Sequence, residues 1–386
     1  MSIPALVEPA DDLVGTDVRR LAHQLILDGH GALGQRRLAN SRVLVIGADE
    51  IGAPALALLA DSGVGRIGII DGAPLREWDR WLGLPAPVGP SGGVTRAAAW
   101  AAALHGTHPS LRTVVHEAPL DAANADAVVR GYDVVLCASE DPARCVLVDD
   151  ACAQAGRPFV WGGMADGVGG RVGVFWDAHG PTYRDLYPKP PAPYFRGVAG
   201  ALKVVAAVLA ATMAAETVKL ITGCGEPLVG RVLEYSAAEG SCAVVPLRRC
   251  PTTERPARLT AGEPFFGLLS PEAAEAARES TISVEELDGL LRDGSGICLV
   301  DVREPEEYAF VNIPGSLLIP KREFLEGDAA GRLPADRKIV LLCLRGIRSA
   351  EALAVVKRHG HRDAVHVGGG IVAWADRIDP GLPAYW

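Results

Sequence analysis

The sequence predicts an α/β protein made of two unlike domains, and three observations carry that reading. Ser41-Arg42-Val43-Leu44-Val45-Ile46-Gly47 is a short, β-branched apolar run, followed by a turn, a helical stretch from Ile51 to Ser62 and a second apolar run ending at Asp71. Strand, turn, helix, strand and acidic end open a nucleotide-binding βαβ unit. Much later, Lys338-Ile339-Val340-Leu341-Leu342 reads as a buried strand that stops at Cys343, and Ser349-Ala350-Glu351-Ala352-Leu353 opens a helix. Between the two lies a shift in composition: Arg248 to Ser280 holds Pro251, Pro256, Pro264 and Pro271 among many Ala and Glu, the pattern of a linker with one short helix.

The elements follow in order. Residues 1–16, with Pro4, Pro9 and several acids, read as a loose tail, and Asp17 to Ala39 as helical with a break at Gly29-His30-Gly31. After the opening βαβ unit, Gly72 to Gly93 is a Pro-, Gly- and Trp-rich loop and Thr95 to His105 an Ala-rich helix. Strand Leu111 to Glu117, helix Ala122 to Gly131, strand Tyr132 to Cys137, helix Ala143 to Gly156 and strand Pro158 to Trp161 come next. Gly170 to Phe175 starts an antiparallel part, Tyr187 to Pro193 is a proline-rich loop, Gly197 to Gly223 is a long buried helix, and Gly230 to Val245 supplies closing strands. The domains are therefore set at residues 17–248 and 281–386, with residues 249–280 as linker. Ser283 and Glu286 have the spacing of a capping box at the start of the second domain.

Bulk properties narrow the class. The 386 residues suffice for two or three domains, and 49% apolar with 22% charged residues is ordinary for a soluble globular protein. A formal net charge of −9 argues against nucleic acid or an anionic membrane as partner. The eight Cys are scattered without a Cys-x-x-Cys pair, which speaks against a zinc ribbon and for a reducing, cytoplasmic setting. The N-terminus lacks the order of a signal peptide, and the most apolar run, Val204 to Ala215, is too short to span a bilayer.

Cys343-Leu344-Arg345-Gly346-Ile347-Arg348-Ser349 is the chemical centre. A thiol between a strand end and a helix N-terminus meets outward N–H groups and partial positive charge, and Arg345 and Arg348 add full charges. Such a cradle favours a reactive thiolate, with Ser349 read as the helix N-cap. The stretch resembles the active loop of rhodanese-type sulfurtransferases, which carry a persulfide on the Cys. Val300-Asp301-Val302-Arg303-Glu304-Pro305-Glu306-Glu307-Tyr308, Ile313-Pro314-Gly315-Ser316-Leu317-Leu318-Ile319-Pro320 and Gly368-Gly369-Gly370-Ile371-Val372-Ala373-Trp374 are similar to the family's other signatures, with Asn312 where the family often has His. Four residues lie between Cys343 and Arg348, one fewer than in cysteine phosphatases, and the shorter loop suits sulfur better than phosphate.

The first domain resembles the ubiquitin-activating-type (ThiF/MoeB/HesA) adenylyltransferases, a Rossmann-like fold, through Gly52-Ala53-Pro54, Ser62-Gly63-Val64-Gly65, Tyr183-Arg184-Asp185-Leu186-Tyr187-Pro188 and Glu216-Thr217-Val218-Lys219-Leu220-Ile221-Thr222-Gly223. The whole chain resembles the MoeZ-like fusion of such a domain to a rhodanese domain. The resemblance implies a homodimer that binds ATP and Mg²⁺, acts on a ubiquitin-like sulfur carrier ending in Gly-Gly, and draws sulfur from thiosulfate or a cysteine desulfurase. It also implies a nucleotide site at Gly47, Gly52, Asp71, Arg96 and Glu140. The family's inner loop glycines are replaced by Asp49 and Glu50, its phosphate arginine by Leu82 unless Arg80 serves, its phosphate lysine by Arg96 and its magnesium Asp by Glu140. Asp141 stands where Asn is usual, Ala73 replaces an acid, and His23, with Arg20 a turn earlier, falls where an arginine reaches the neighbouring subunit. No Cys lies between Pro193 and Gly200, and of four zinc ligands only Cys250 remains, the others being Thr182, Asp185 and Thr253, so no structural zinc is expected.

The reading is therefore a sulfurtransferase with a persulfide on Cys343, serving a carrier docked on an activating-type domain whose ATP site is weakened. One alternative keeps adenylation of the carrier as well, and another is a non-catalytic carrier-binding scaffold.

Overall fold

The computed structural model describes residues 3–13, 15–75, 79, 93–139, 141–188, 202–251, 253, 259 and 269–383. The chain forms two compact units, the described residues through Leu259 belonging to the first and residues 269–383 to the second.

The first unit is built on an eight-stranded sheet: β1 (Arg42–Ile46), β2 (Arg66–Ile70), β3 (Arg112–Val115), β4 (Val134–Cys137), β5 (Phe159–Asp166), β6 (Gly169–Phe175), β7 (Arg231–Ser236) and β8 (Ser241–Pro246). Their order is β3-β2-β1-β4-β5-β6-β7-β8. The first five are parallel, and β5 to β8 are antiparallel. β1 and β4 are apolar without alternation because helices cover both faces of a parallel sheet. Strand order reverses between β1 and β4, so the crevice beyond their carboxyl ends is the place where such a fold takes a ligand.

The helix Lys203–Thr222 has the length and hydropathy to cross a membrane, yet it is a core helix. Val205, Leu209, Met213, Leu220 and Ile221 are buried in one cluster with Leu56 and Leu59 of the helix Gly52–Ser62. The N-terminal segment differs from the expected loose tail. Val7 is buried in the same cluster, and Leu6 N–H and Ala10 N–H donate to Leu220 and Arg36 carbonyls. Burying a side chain such as Val is worth ~1.5–3 kcal/mol, which outweighs what two prolines suggest about the segment.

The second unit holds a five-stranded parallel sheet: β9 (Thr281–Ile282), β10 (Cys298–Asp301), β11 (Leu317–Leu318), β12 (Ile339–Leu342) and β13 (Val365–Val367), in the order β11-β10-β12-β13-β9. The short helix anticipated in the linker, Pro271–Glu279, buries Ala273, Ala274, Ala276 and Ala277 in this unit's core beside the helix Ile347–Arg358. Ser283 and Glu286 form the anticipated capping box, with each side chain accepting from the other's backbone N–H.

Candidate functional site

Cys343 follows the central strand β12 directly and is buried, with Arg345 exposed beside it. The Gly346 N–H donates to Cys343 Sγ at 3.0 Å. Gly346 (φ 101°) is itself the N-cap of the helix Ile347–Arg358, so the chain turns sharply enough to aim loop amides at the sulfur. Ser349, expected as the cap, lies instead in the first turn, fully buried. Its Oγ is 3.4 Å from Cys343 Sγ and 3.2 Å from His366 Nδ1. Leu344, Arg345, Ile347 and Arg348 line a small cavity over the thiol.

A second helix end braces the loop from behind. Ile371 N–H and Val372 N–H donate to the Cys343 and Leu344 carbonyls at 2.9 and 3.2 Å. Gly370 (φ 61°) permits this approach, since a Cβ there would stand 2.3 Å from the Cys343 oxygen. That closeness calls for glycine at position 370.

Arg345 and Arg348 play different parts. The Arg348 guanidinium forms a bidentate pair with Glu307, at 2.6 and 2.9 Å, with both side chains nearly buried. Its charge is thus matched, and it braces the loop against the helix Pro305–Phe310. Glu307 stands in the Val300 to Tyr308 signature, but sequence reasoning assigned it no role of its own. His366 escaped too, and its signal was a lone polar residue between two valines of a buried strand.

In the first unit, Gly47, Gly52, Asp71 and Arg96 gather at the carboxyl ends of β1 and β2, while Glu140 and Arg80 lie outside the described residues, as does the stretch from Pro193 to Gly200. Gly52 is required by packing, since a Cβ there would fall 1.9 Å from the Gly47 carbonyl oxygen. Asp71 accepts from Ala48 N–H at 2.8 Å and from Ala73 N–H at 2.9 Å. Arg96 donates to buried Asp79 at 2.9 Å and stands 3.8 Å from Asp71. Its charge is therefore already engaged by carboxylates. Arg20 donates to the Ala60 and Asp61 carbonyls at the end of the helix Gly52–Ser62.

Three of the four positions that resemble zinc ligands, Thr182, Asp185 and Cys250, are joined through a carboxylate. Asp185 accepts from Thr182 N–H at 2.8 Å and from Cys250 N–H at 2.9 Å, joining the two segments directly. Among the described residues, no group of three or more His, Cys, Asp or Glu is placed to hold a metal.

Residues 21–257 match the ThiF family, and residues 283–377 match the rhodanese-like domain. The chain belongs to the ThiF family. This ThiF-family chain is 42% identical, over its full length and 99% of the relative, to a protein of Mycobacterium tuberculosis named probable adenylyltransferase/sulfurtransferase MoeZ. It is 30% identical, over 97% of its length and 86% of the relative, to the adenylyltransferase and sulfurtransferase MOCS3 of Drosophila ananassae. In fold it is similar to E. coli MccB, with a TM-score of 0.53 at 18% identity over 64% of this chain and 75% of that one. The crystal structure of PaaA is likewise similar, with a TM-score of 0.51 at 18% identity over 62% and 76% of the two chains.

Proposed function

We propose that this protein is a sulfurtransferase whose Cys343 carries sulfur as a persulfide and passes it to a ubiquitin-like carrier ending in Gly-Gly, whose C-terminal carboxyl arrives already activated so that its activating group leaves as the C–S bond forms. The observation that carries the reading is the seat of Cys343 Sγ: it receives the Gly346 N–H at 3.0 Å, under a cavity whose exposed cation is Arg345. With thiosulfate as donor, the Cys343 thiolate attacks the outer sulfur, a new S–S bond forms, and sulfite leaves with the electron pair of the broken bond. Loop amides and Arg345 stabilise the anion on the terminal sulfur. Full-length likeness to proteins named for both activities supports the pairing of a carrier-binding unit with this loop.

The first unit is proposed as the docking platform and dimer-forming part, with weakened ATP binding. Residues that resemble the ribose side of a nucleotide site are present, but the phosphate side fits poorly. Asp49 and Glu50 replace glycines beside Ala48, whose N–H is bound by Asp71, and Arg96 is paired with Asp79. No step is therefore routed through ATP on this chain. A second reading, in which the first unit also adenylates the carrier, is favoured by the position of Gly47 against Ala138, at the β1/β4 reversal. Carrier-dependent ATP–pyrophosphate exchange separates the two. Persulfide on Cys343 is tested by mass spectrometry after thiosulfate treatment. A mass gain of one sulfur on the Cys343 peptide is expected, and sulfur transfer retained in Cys343→Ala would overturn the proposal.

A further inference from the structure

The amino ends of the first unit's parallel strands carry a row of charges that neither the sulfur chemistry nor the nucleotide-like crevice uses. Arg42, Arg66 and Arg112 open β1, β2 and β3, and strand pairing sets Arg42 against Arg66 and Arg66 against Arg112. Register partners on parallel strands point to the same face of the sheet, about 4.8 Å from one strand to the next. Asp133, just before β4, extends the row on the other side of Arg42, and its N–H donates to the Arg42 carbonyl at 2.8 Å. Across the four strands the row therefore reads cation, cation, cation, carboxylate.

The carboxylate of this row is already engaged. Asp133 accepts from the Arg42 guanidinium at 2.7 and 3.2 Å and from the Arg42 N–H at 2.9 Å. Among the described residues, the side chains of Arg66 and Arg112 form no ion pair and no hydrogen bond. Like charges set opposite each other on neighbouring strands repel. The sheet thus holds two cations side by side, half-buried Arg66 and exposed Arg112, with the row's one carboxylate committed to Arg42.

The row opens onto a cavity of about 610 Å³, a size that suits a small molecule. Its walls are firmly held. On one side stands the N-terminal segment, with Val7 buried, the Leu6 N–H bonded to the Leu220 carbonyl and Asn40 Nδ2 donating to the Glu8 carbonyl at 2.9 Å. Gly65 keeps the floor low, since a Cβ there would fall 1.8 Å from the Ala39 carbonyl oxygen. The amides of the floor are taken: Gly65 N–H donates to Leu38, Arg66 N–H to Ser41 and Arg112 N–H to Gly65. Recognition in the cavity therefore falls to side chains, namely the two arginines with Ser110 and Asn40 beside them.

We propose that this groove binds a small phosphomonoester, its phosphate dianion seated between Arg66 and Arg112 and its polar body filling the rest of the cavity. Each guanidinium presents a planar fork of N–H donors that matches a pair of phosphate oxygens. A dianion also cancels the two charges that the row leaves over. A long polyanion fits less well, because the chain carries a net charge of −9 and Glu8 and Asp133 line the same cavity. The site is separate from the crevice at the carboxyl ends. Arg42 and Gly47 bracket the length of β1, so the row lies roughly 16 Å from the nucleotide-like loop. The inference does not rest on the sulfurtransferase reading.

The assay is calorimetric titration of the full chain at low salt with glucose 6-phosphate, glucose 6-sulfate, inorganic phosphate and glucose. Glucose 6-phosphate is expected to bind at one site. Glucose 6-sulfate has a single charge and inorganic phosphate has no body, and each is expected to bind roughly tenfold more weakly, with no binding by glucose. Arg66→Gln and Arg112→Gln each remove one fork and are expected to weaken glucose 6-phosphate by roughly tenfold or more. Neither arginine holds a partner in the fold, so the melting temperature is expected to stay at the wild-type value. Arg112→Lys, which keeps the charge but loses the fork, serves if a glutamine variant fails to fold, and it too is expected to bind more weakly. Wild-type affinity in any of these folded variants would overturn the site, as would the absence of saturable binding at millimolar glucose 6-phosphate. Inorganic phosphate binding as tightly as the ester would reduce the groove to a place for an adventitious ion only. A polyuridylate strand that binds more tightly than glucose 6-phosphate, with a steep salt dependence, would overturn the proposal in favour of a nucleic-acid surface.

Discussion

Replacing Asp49 and Glu50 together by glycine tests whether carboxylates weaken nucleotide binding in the first unit. Both residues follow Ala48 at the end of β1, and both are half-buried at the entrance to the helix Gly52–Ser62. A like-charge pair at about 4 Å costs ~1 kcal/mol in water and ~4 kcal/mol at the effective dielectric of a protein surface. Half-buried groups fall between these limits, so removing both gains ~2 kcal/mol at the lower bound. At ~1.4 kcal/mol per decade, that is roughly a thirtyfold gain in ATP affinity. The change also removes two acids from a helix N-terminus, where each contributes ~0.3–1 kcal/mol to stability, so a small fall in Tm accompanies it. Calorimetric titration with ATP and Mg²⁺ is the assay, with ATP–pyrophosphate exchange in the presence of a Gly-Gly carrier as its functional counterpart. Equal ATP affinity in wild type and the D49G/E50G double variant would refute the electrostatic argument. Strong exchange by the wild type would refute the weakened site itself.

Three further outcomes follow from named contacts. Asp185→Ala leaves the Thr182 and Cys250 N–H groups without their shared acceptor, a loss of ~2–4 kcal/mol. The melting temperature is expected to fall by roughly 5–15 °C; chelator treatment of the wild type leaves it in place, whereas a chelator-induced fall would show a bound metal. Gly370→Ala places a Cβ 2.3 Å from the Cys343 oxygen at a positive φ, and the displaced loop is expected to lose about a hundredfold in thiosulfate sulfurtransferase rate; an unchanged rate would show that the brace is dispensable. Burial raises the Asp149 carboxyl to about 7, against the opposing pull of the Tyr183 and Arg184 N–H groups. The folded chain then holds a proton that the unfolded chain releases above about pH 4, so stability falls between about pH 4 and pH 7, at ~1.4 kcal/mol per pH unit. Denaturant titrations of Asp149→Asn are expected to show a flatter slope than wild type across that window, and parallel slopes would remove Asp149 as the cause.

What was legible in the sequence was the part written by local rules. β1, β12 and the helix Gly52–Ser62 announce themselves by apolar runs and by the residues that stop them, and Ser283 with Glu286 announces a cap by spacing alone. Cys343 was legible because strand, loop and helix follow one another without interruption. What remained hidden depended on residues far apart in the chain. Arg348 reads as an open cation until Glu307, 41 positions earlier, is seen to bind it. Ser349 reads as a cap until Gly346 takes that position and the Ser349 hydroxyl turns to His366. The N-terminal segment reads as a tail until Leu6 meets Leu220. In each case the local signal was compatible with two fates, and a long-range contact decided between them.

The same distinction separates the two units chemically. In the first, side-chain carboxylates answer backbone amides that could otherwise serve a ligand: Asp71 binds Ala48 and Ala73, and Asp185 binds Thr182 and Cys250. Each of these bonds holds the fold by groups the chain itself supplies. In the second unit the amide of Gly346 is aimed at the Cys343 sulfur, and the charged pair nearby, Arg348 with Glu307, stiffens the loop. One unit thus turns carboxylates onto its own amides, and the other turns an amide onto a thiol.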